Sequence, residues 1–163
     1  VFEKVGLLNE KLIRTEDNEI HYRIRKNGYK IKYNPDILSY QYIRPTLKKM
    51  MKQKYGNGYW IGLTSHVEVG CLSIFHFIPF VFVLGIIFSL LMLTLTKLFA
   101  VLLAVAYGLF TILVTLMTII NNKFNATMLL TPILLFLVHF SYGVGTLVGL
   151  VKGFSWKKEY YKE

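Results

Sequence analysis

The sequence predicts an α+β segment followed by a basic amphipathic helix and three transmembrane helices. Three observations carry that prediction. Charge is segregated, with 13 of the 19 Lys and Arg preceding Val69. Apolar residues collect in three runs long enough to cross a bilayer. Between Tyr29 and Ile43 the side chains alternate with the period of a β-strand.

Residues 1–44 form the first unit. Up to Glu68 the chain holds 13 basic and 7 acidic residues, a net charge of +6. It opens at Val1-Phe2-Glu3-Lys4-Val5 without an initiator Met, so further sequence is expected upstream. From Asp17 to Asn27 the run begins with acids and ends with bases, an order that suits the helix dipole. Gly28 is then expected as its left-handed C-terminal cap. Ile20 and Ile24, four apart, give that helix a buried stripe. Tyr29-Lys30-Ile31-Lys32-Tyr33 alternates with period two and stops at Asn34-Pro35, after which Ile37-Leu38-Ser39-Tyr40-Gln41-Tyr42-Ile43 resumes the pattern. Two short strands around a Pro turn are expected.

Residues 45–68 read as an interfacial helix. Pro45 suits its first turn. Leu47, Met50 and Met51 fall on one face, and Lys48, Lys49, Lys52 and Lys54 on the other. A basic amphipathic helix directly before an apolar run belongs in the headgroup layer, where Tyr55, Tyr59 and Trp60 are also at home. Gly56 and Gly58 are expected to bend or end it.

Residues 69–151 hold only Lys97 and Lys123 as charges. A hydrocarbon core about 30 Å thick needs roughly 20 helical residues at about 1.5 Å each. Spans are expected at 74–93, 98–120 and 128–151, with polar breaks at Thr94 to Lys97 and Asn121 to Asn125. The first apolar run lies too deep in the chain for a signal peptide. A polar tail, 152–163, follows. The basic first unit predicts a cytoplasmic side for it. Three full spans would then put the tail outside, although it carries Lys152, Lys157, Lys158 and Lys162. Either tail lysines paired with Glu159 and Glu163 are tolerated there, or the third segment, with Pro132, His139, Gly143, Gly145 and Gly149, is re-entrant.

The net charge of +10 fits membrane lipid as a partner rather than nucleic acid, because basic residues flanking apolar spans are the usual cytoplasmic pattern. Cys71 permits no internal disulfide and reads as a small apolar residue. His21 reads as an exposed helix residue, and His76 and His139 as structural hydrogen-bonders. No Cys and His spacing forms a metal ligand set.

Thr15-Glu16-Asp17 sets two adjacent carboxylates at a loop-to-helix junction, where free backbone amides stabilise an anion. Taken alone, Asp17 or Thr15 reads as a helix cap. The order of motifs adds a second reading. Phe2-Glu3-Lys4-Val5-Gly6 with Asn9-Glu10, Thr15-Glu16-Asp17-Asn18-Glu19 with Tyr22-Arg23-Ile24-Arg25, and Gly28-Tyr29 closely resemble the end of the catalytic domain of family 2 glycosyltransferases. Ser39-Tyr40-Gln41-Tyr42-Ile43-Arg44, then Leu47-Lys48-Lys49, Gln53 to Trp60 and His139-Phe140-Ser141-Tyr142-Gly143-Val144-Gly145 are similar to the membrane-bound exopolysaccharide type, the succinoglycan glucosyltransferases.

The resemblance implies that residues 1–44 end a GT-A type α/β domain. It also implies an inverting transfer from a nucleotide-sugar donor to a lipid-linked or polysaccharide acceptor, at the inner membrane of a bacterial cell. Asp17 is then the general base toward the acceptor hydroxyl, with Glu16 orienting the acceptor. Processive relatives carry Gln-x-x-Arg-Trp on an interfacial helix. Here Gln53-Lys54-Tyr55-Gly56-Asn57 keeps the Gln and lacks the Arg and Trp, while Trp60 fits the non-processive pattern. Gln53 and Trp60 are thus substrate-binding candidates, and Arg44 and Lys54 are candidates toward phosphate, with anchoring beside anionic lipid as the more common role of such basic residues. The donor-binding half and its Asp-x-Asp ligands for a divalent cation, Mg or Mn, are expected upstream, and this chain alone is expected to be inactive. The rival reading is a small non-enzymatic membrane protein whose basic unit binds anionic lipid or a partner.

Overall fold

A computed structural model describes residues 1–162 of the chain. Six α-helices follow in order: α1 (Phe2–Val5), α2 (Glu16–Lys26), α3 (Leu47–Thr64), α4 (Ile78–Met92), α5 (Leu98–Asn121) and α6 (Thr131–Tyr160). Short 3-10 turns at Val69–Cys71, Ile74–Phe77 and Ala126–Leu130 lead into the apolar helices.

The α+β expectation is overturned, because no strand occurs among the described residues. The Asn34-Pro35 turn does form, with Asn34 accepting from the amides of Asp36 (3.0 Å, side chain) and Ile37 (3.3 Å, backbone). Its two arms stay unpaired. A strand needs a neighbour for its amides and a core for one face, and a lone two-stranded hairpin is marginal in water. Here both faces meet solvent: Tyr33 is 83% exposed, Tyr40 91% and Tyr42 96%. Period-two alternation is the signature of a half-buried strand only where something buries it.

Helix α2 follows its sequence signals. It ends with Gly28 at φ +80°, and the amides of Gly28 and Tyr29 bond back to the carbonyls of Arg25 (3.0 Å) and Ile24 (3.2 Å), the Schellman closure. Ile20 is buried beneath it. Arg23 ties α2 to the preceding loop, gripping Glu19 with two nitrogens (2.5 and 2.8 Å) while donating to the carbonyls of Val5 and Leu7.

Helix α3 starts one residue after Thr46, whose hydroxyl accepts from the Lys49 amide at 3.3 Å, so Pro45 precedes the cap. Gly56 and Gly58 do not end it. The helix continues to Thr64, with Gly56 beneath the Arg14 side chain and Gly58 and Gly62 where it meets α6. A Cβ at Gly58 would lie 2.0 Å from the Tyr142 carbonyl, and one at Gly62 2.5 Å from the Leu150 nitrogen and the Thr146 carbonyl. From the other side, a Cβ at Gly145 or Gly149 would strike the carbonyls of Tyr55 or Tyr59 at 2.1 Å. The two Gly-x-x-x-Gly pairs, 58/62 and 145/149, let the backbones touch, as small-residue seams do in membrane helices. Contacts advance together along both helices, from Ser141 donating to the Met51 sulfur (3.2 Å) to His66 Nε2 on the Leu150 carbonyl (2.9 Å). The two helices therefore run parallel.

Three stretches are long and apolar enough to cross a membrane: Ile74–Met92, Leu98–Asn121 and Ala126–Tyr160. Gly143 seats α6 on the Pro79 carbonyl and Val83 of α4. Nearby, the Tyr107 hydroxyl of α5 pairs with His139 Nδ1 of α6 at 2.8 Å, giving that histidine a structural partner. With 30 residues, α6 is about 45 Å long, more than a hydrocarbon core of about 30 Å holds. Its start faces α4 and α5, and from Ser141 onward it also faces α3.

A Gly149→Ala substitution is expected to force α3 from α6 and cost about 1–3 kcal/mol by overpacking. Gly108→Ala on α5, where nothing lies within 4 Å, should be neutral or stabilising by about 0.5–1 kcal/mol. Thermal unfolding in detergent separates the two, and equal melting temperatures would deny the seam.

Candidate functional site

The acidic pair lies at the start of α2, and the residue before it fixes its place. Thr15 occupies the N-cap position without capping. Its hydroxyl turns instead to the Thr64 hydroxyl at the end of α3, 2.6 Å away, with the two residues 1% and 0% exposed. One residue earlier, Arg14 Nη1 donates to Asn57 Oδ1 at 2.9 Å. The guanidinium crosses Gly56, where a Cβ would come within 3.1 Å of its Nε. Asn57 and Thr64 are seven apart, two turns along one helix face, and Gln53 sits one turn earlier on the same stripe. The start of α2, with Glu16 and Asp17, is thus pinned along the face that bears Gln53.

Asp17 is exposed. Its Oδ1 accepts only from the neighbouring Asn18 amide (2.8 Å), so neither Asp17 nor Thr15 serves as the helix cap expected of them. The sole ion pair among the described residues is Arg23 with Glu19, which leaves Asp17 without a cation. Glu16 Oε2 is buried with no hydrogen-bond partner among them. A buried carboxylate oxygen without a partner is costly in a finished structure. It is a vacant acceptor beside Asp17.

Helix α2 also rests on the Val69–Cys71 turn, with the Tyr22 ring against Gly70. Burial pushes the Cys71 thiol up to about 11, and the carboxylates of Glu68, Glu19 and Asp17 add to the rise.

Of the other candidates, Arg44 and Gln53 meet in one cleft with Arg14, Lys49 and Lys52, while Lys54 is not among its lining residues. Trp60 packs edge-on against Trp156 of α6, ring centres 5.7 Å apart, and so serves the α3–α6 contact. Sequence reasoning passed over Arg14. Its signal was adjacency: it directly precedes Thr15-Glu16-Asp17. His76 closes a capping box with Ser73, and His21 is exposed. No group of three or more His, Cys, Asp or Glu able to hold a metal occurs among the described residues.

A family model described as Glycosyl transferase family group 2 matches residues 1–148. A curated relative from Methanococcus voltae, named dolichyl N-acetyl-alpha-D-glucosaminyl phosphate 3-beta-D-2,3-diacetamido-2,3-dideoxy-beta-D-glucuronosyltransferase, is 31% identical over 149 residues. That alignment covers 91% of this chain and 43% of the relative. No solved structure matches.

The raised thiol gives a direct check on how α2 docks. At pH 8 the Cys71 thiolate should be about a hundredfold scarcer than that of a free cysteine. Iodoacetamide alkylation should be slowed to match and accelerate only as pH climbs toward 11. A rate equal to that of free cysteine at pH 8 would show that nothing covers it.

Proposed function

The chain belongs to the family 2 glycosyltransferases, and from that premise we propose that Asp17 is the general base of an inverting transfer to a lipid-linked acceptor at the membrane surface. The observation that carries this reading is the state of the acidic pair. Asp17 is exposed and outside any ion pair among the described residues, and the Glu16 oxygen beside it has no partner.

In the proposed step the acceptor hydroxyl attacks the anomeric carbon of a nucleotide-bound sugar. The new bond forms between the acceptor oxygen and that carbon. The bond from the carbon to the phosphate oxygen breaks, and its electron pair leaves with the nucleotide diphosphate. Asp17 takes the hydroxyl proton, and a base held within hydrogen-bond reach supplies roughly 10²–10⁴-fold in rate. Glu16 accepts a further acceptor hydroxyl and so aims the attack. Positioning of this kind removes part of the entropic barrier.

The chain spans 43% of the length of its curated relative, and donor recognition with any Mg or Mn ion is assigned to sequence outside it. A lipid-linked acceptor is supported by the relative's name, which describes transfer to a dolichyl phosphate-linked sugar. The exopolysaccharide role rests on the motifs from Ser39 to Trp60 and from His139 to Gly145, one sugar added per encounter on the stretch from Gln53 to Trp60, and a cytoplasmic location for the polar segment on its 13 basic residues.

In the full-length enzyme Asp17→Asn should lower transfer to a lipid-linked acceptor by about 10²–10⁴-fold while leaving expression and membrane insertion unchanged. Asp36→Asn, in the exposed turn, should transfer normally. Normal turnover by the Asp17 variant would end the base assignment.

A further inference from the structure

The apolar helices leave a trough along one side. Two hollows, of about 380 and about 340 Å³, lie between α4 and α5 and share Phe82, Leu103 and Tyr107 in their walls. Together they run from Ile78 and Pro79 to Leu90, about 18 Å along α4. The walls are apolar except for Ser89 and for Tyr107 and His139, which pair with each other at 2.8 Å.

The helices that form the trough are long and apolar enough to cross a membrane. It therefore opens into hydrocarbon, and what fills it is a lipid chain or another helix. Size decides between them. A helix with its side chains is about 10–12 Å across, so a length of about 18 Å fills roughly 1,400 Å³ or more. The two hollows together hold about half of that. Only a narrow chain enters, and it restores the dispersion contacts that an unfilled trough forfeits.

The floor selects among chains. Ala100, Ala104 and Gly108 line the first hollow four residues apart, which stacks notches on one helix face at steps of about 6 Å. At Gly108 the space is open, with nothing within 4 Å of an added Cβ. A straight acyl chain has nothing to place in regular notches. An isoprenoid chain carries a methyl branch on every repeating unit, and the rings of Phe82, Tyr107 and Phe136 offer flat apolar faces to its double bonds.

The trough also begins near the acidic pair. Its Ile78 and Pro79 end is the first turn of α4, which follows the Ile74–Phe77 turn and, before it, the Val69–Cys71 turn that rests on α2. We propose that the trough between α4 and α5 seats the isoprenoid chain of the lipid-linked acceptor, with the acceptor's head at the α2 end. That the chain belongs to an acceptor rests on the transferase reading, whereas the seat rests on shape and lining.

The test compares binding of a polyprenyl monophosphate and of a straight-chain alkyl monophosphate of equal carbon number, with the protein in phospholipid nanodiscs. The polyprenyl probe should bind at least tenfold tighter. Ala104→Leu with Gly108→Leu fills the notches and should cut that preference below twofold, while melting temperature checks the fold. Ala104→Val alone, a milder change, should lower it about threefold and keeps the comparison available if the double variant unfolds. Val105→Phe with Leu109→Phe adds bulk to the exposed side of α5 and should leave the preference unchanged. Equal binding of the two probes, or a preference that survives notch filling, overturns the seat. In the full-length enzyme Asp17→Asn should lose transfer yet keep the preference. Normal transfer by that variant beside a notch-dependent preference would end the base assignment and leave the seat standing.

Discussion

The backbone contact between α3 and α6 is the constraint on which the other features hang. Gly58 and Gly62 on one helix meet Gly145 and Gly149 on the other so closely that carbonyl oxygens occupy the space of absent side chains. Direct approach of this kind gains dispersion and Cα–H···O contact along the seam rather than burial of large apolar groups. It also fixes register, since sliding either helix by one residue would drive a side chain into a carbonyl. Gly153, opposite the His66 ring, and the Trp60–Trp156 pair extend the same seam toward the tail.

Everything polar is mounted on that seam. Helix α3 presents Gln53, Asn57 and Thr64 on one stripe, and through them holds Arg14 and Thr15. Glu16 and Asp17 follow within two residues. Because α6 continues from the apolar helices into the α3 contact, the acidic pair is coupled rigidly to the membrane region. On the proposed reading, such coupling would present the base to the hydroxyl of a lipid-anchored acceptor at a fixed height above the bilayer instead of by free diffusion.

Much of this was legible in the sequence, and the illegible parts share a cause. The acid-to-base order from Asp17 to Asn27 and the glycine after it mark α2 locally, and it forms one residue earlier, at Glu16–Lys26, without the cap expected of Asp17 or Thr15. Length and hydropathy alone mark the apolar helices. The stretch from Tyr29 to Ile43 misleads because a strand is defined by its neighbour, and alternation does not reveal whether a neighbour is at hand. Gly56 and Gly58 mislead in the same way. Read locally they weaken a helix, whereas their use comes from distant residues, Arg14 for Gly56 and Tyr142 with Thr146 for Gly58. Arg14 lacked any motif, and only the fold shows that it lies over Gly56 beside Gln53.

The parallel register also bears on how the chain crosses the bilayer. Asn9 donates to the Tyr160 hydroxyl at 2.5 Å, and Lys11 reaches the carbonyls of Tyr160 and Lys162 at 2.7 and 3.3 Å. The polar segment and the tail are thereby held on one side, which calls for an even number of complete crossings among the three apolar helices. The most direct measurement is labelling of single cysteines at Ser39 and Ser155, in a Cys71→Ala background, with a membrane-impermeant maleimide on vesicles of known orientation. The α3–α6 seam predicts that both positions react from the same face. Reaction from opposite faces would contradict the seam and the placement of the acidic pair that depends on it.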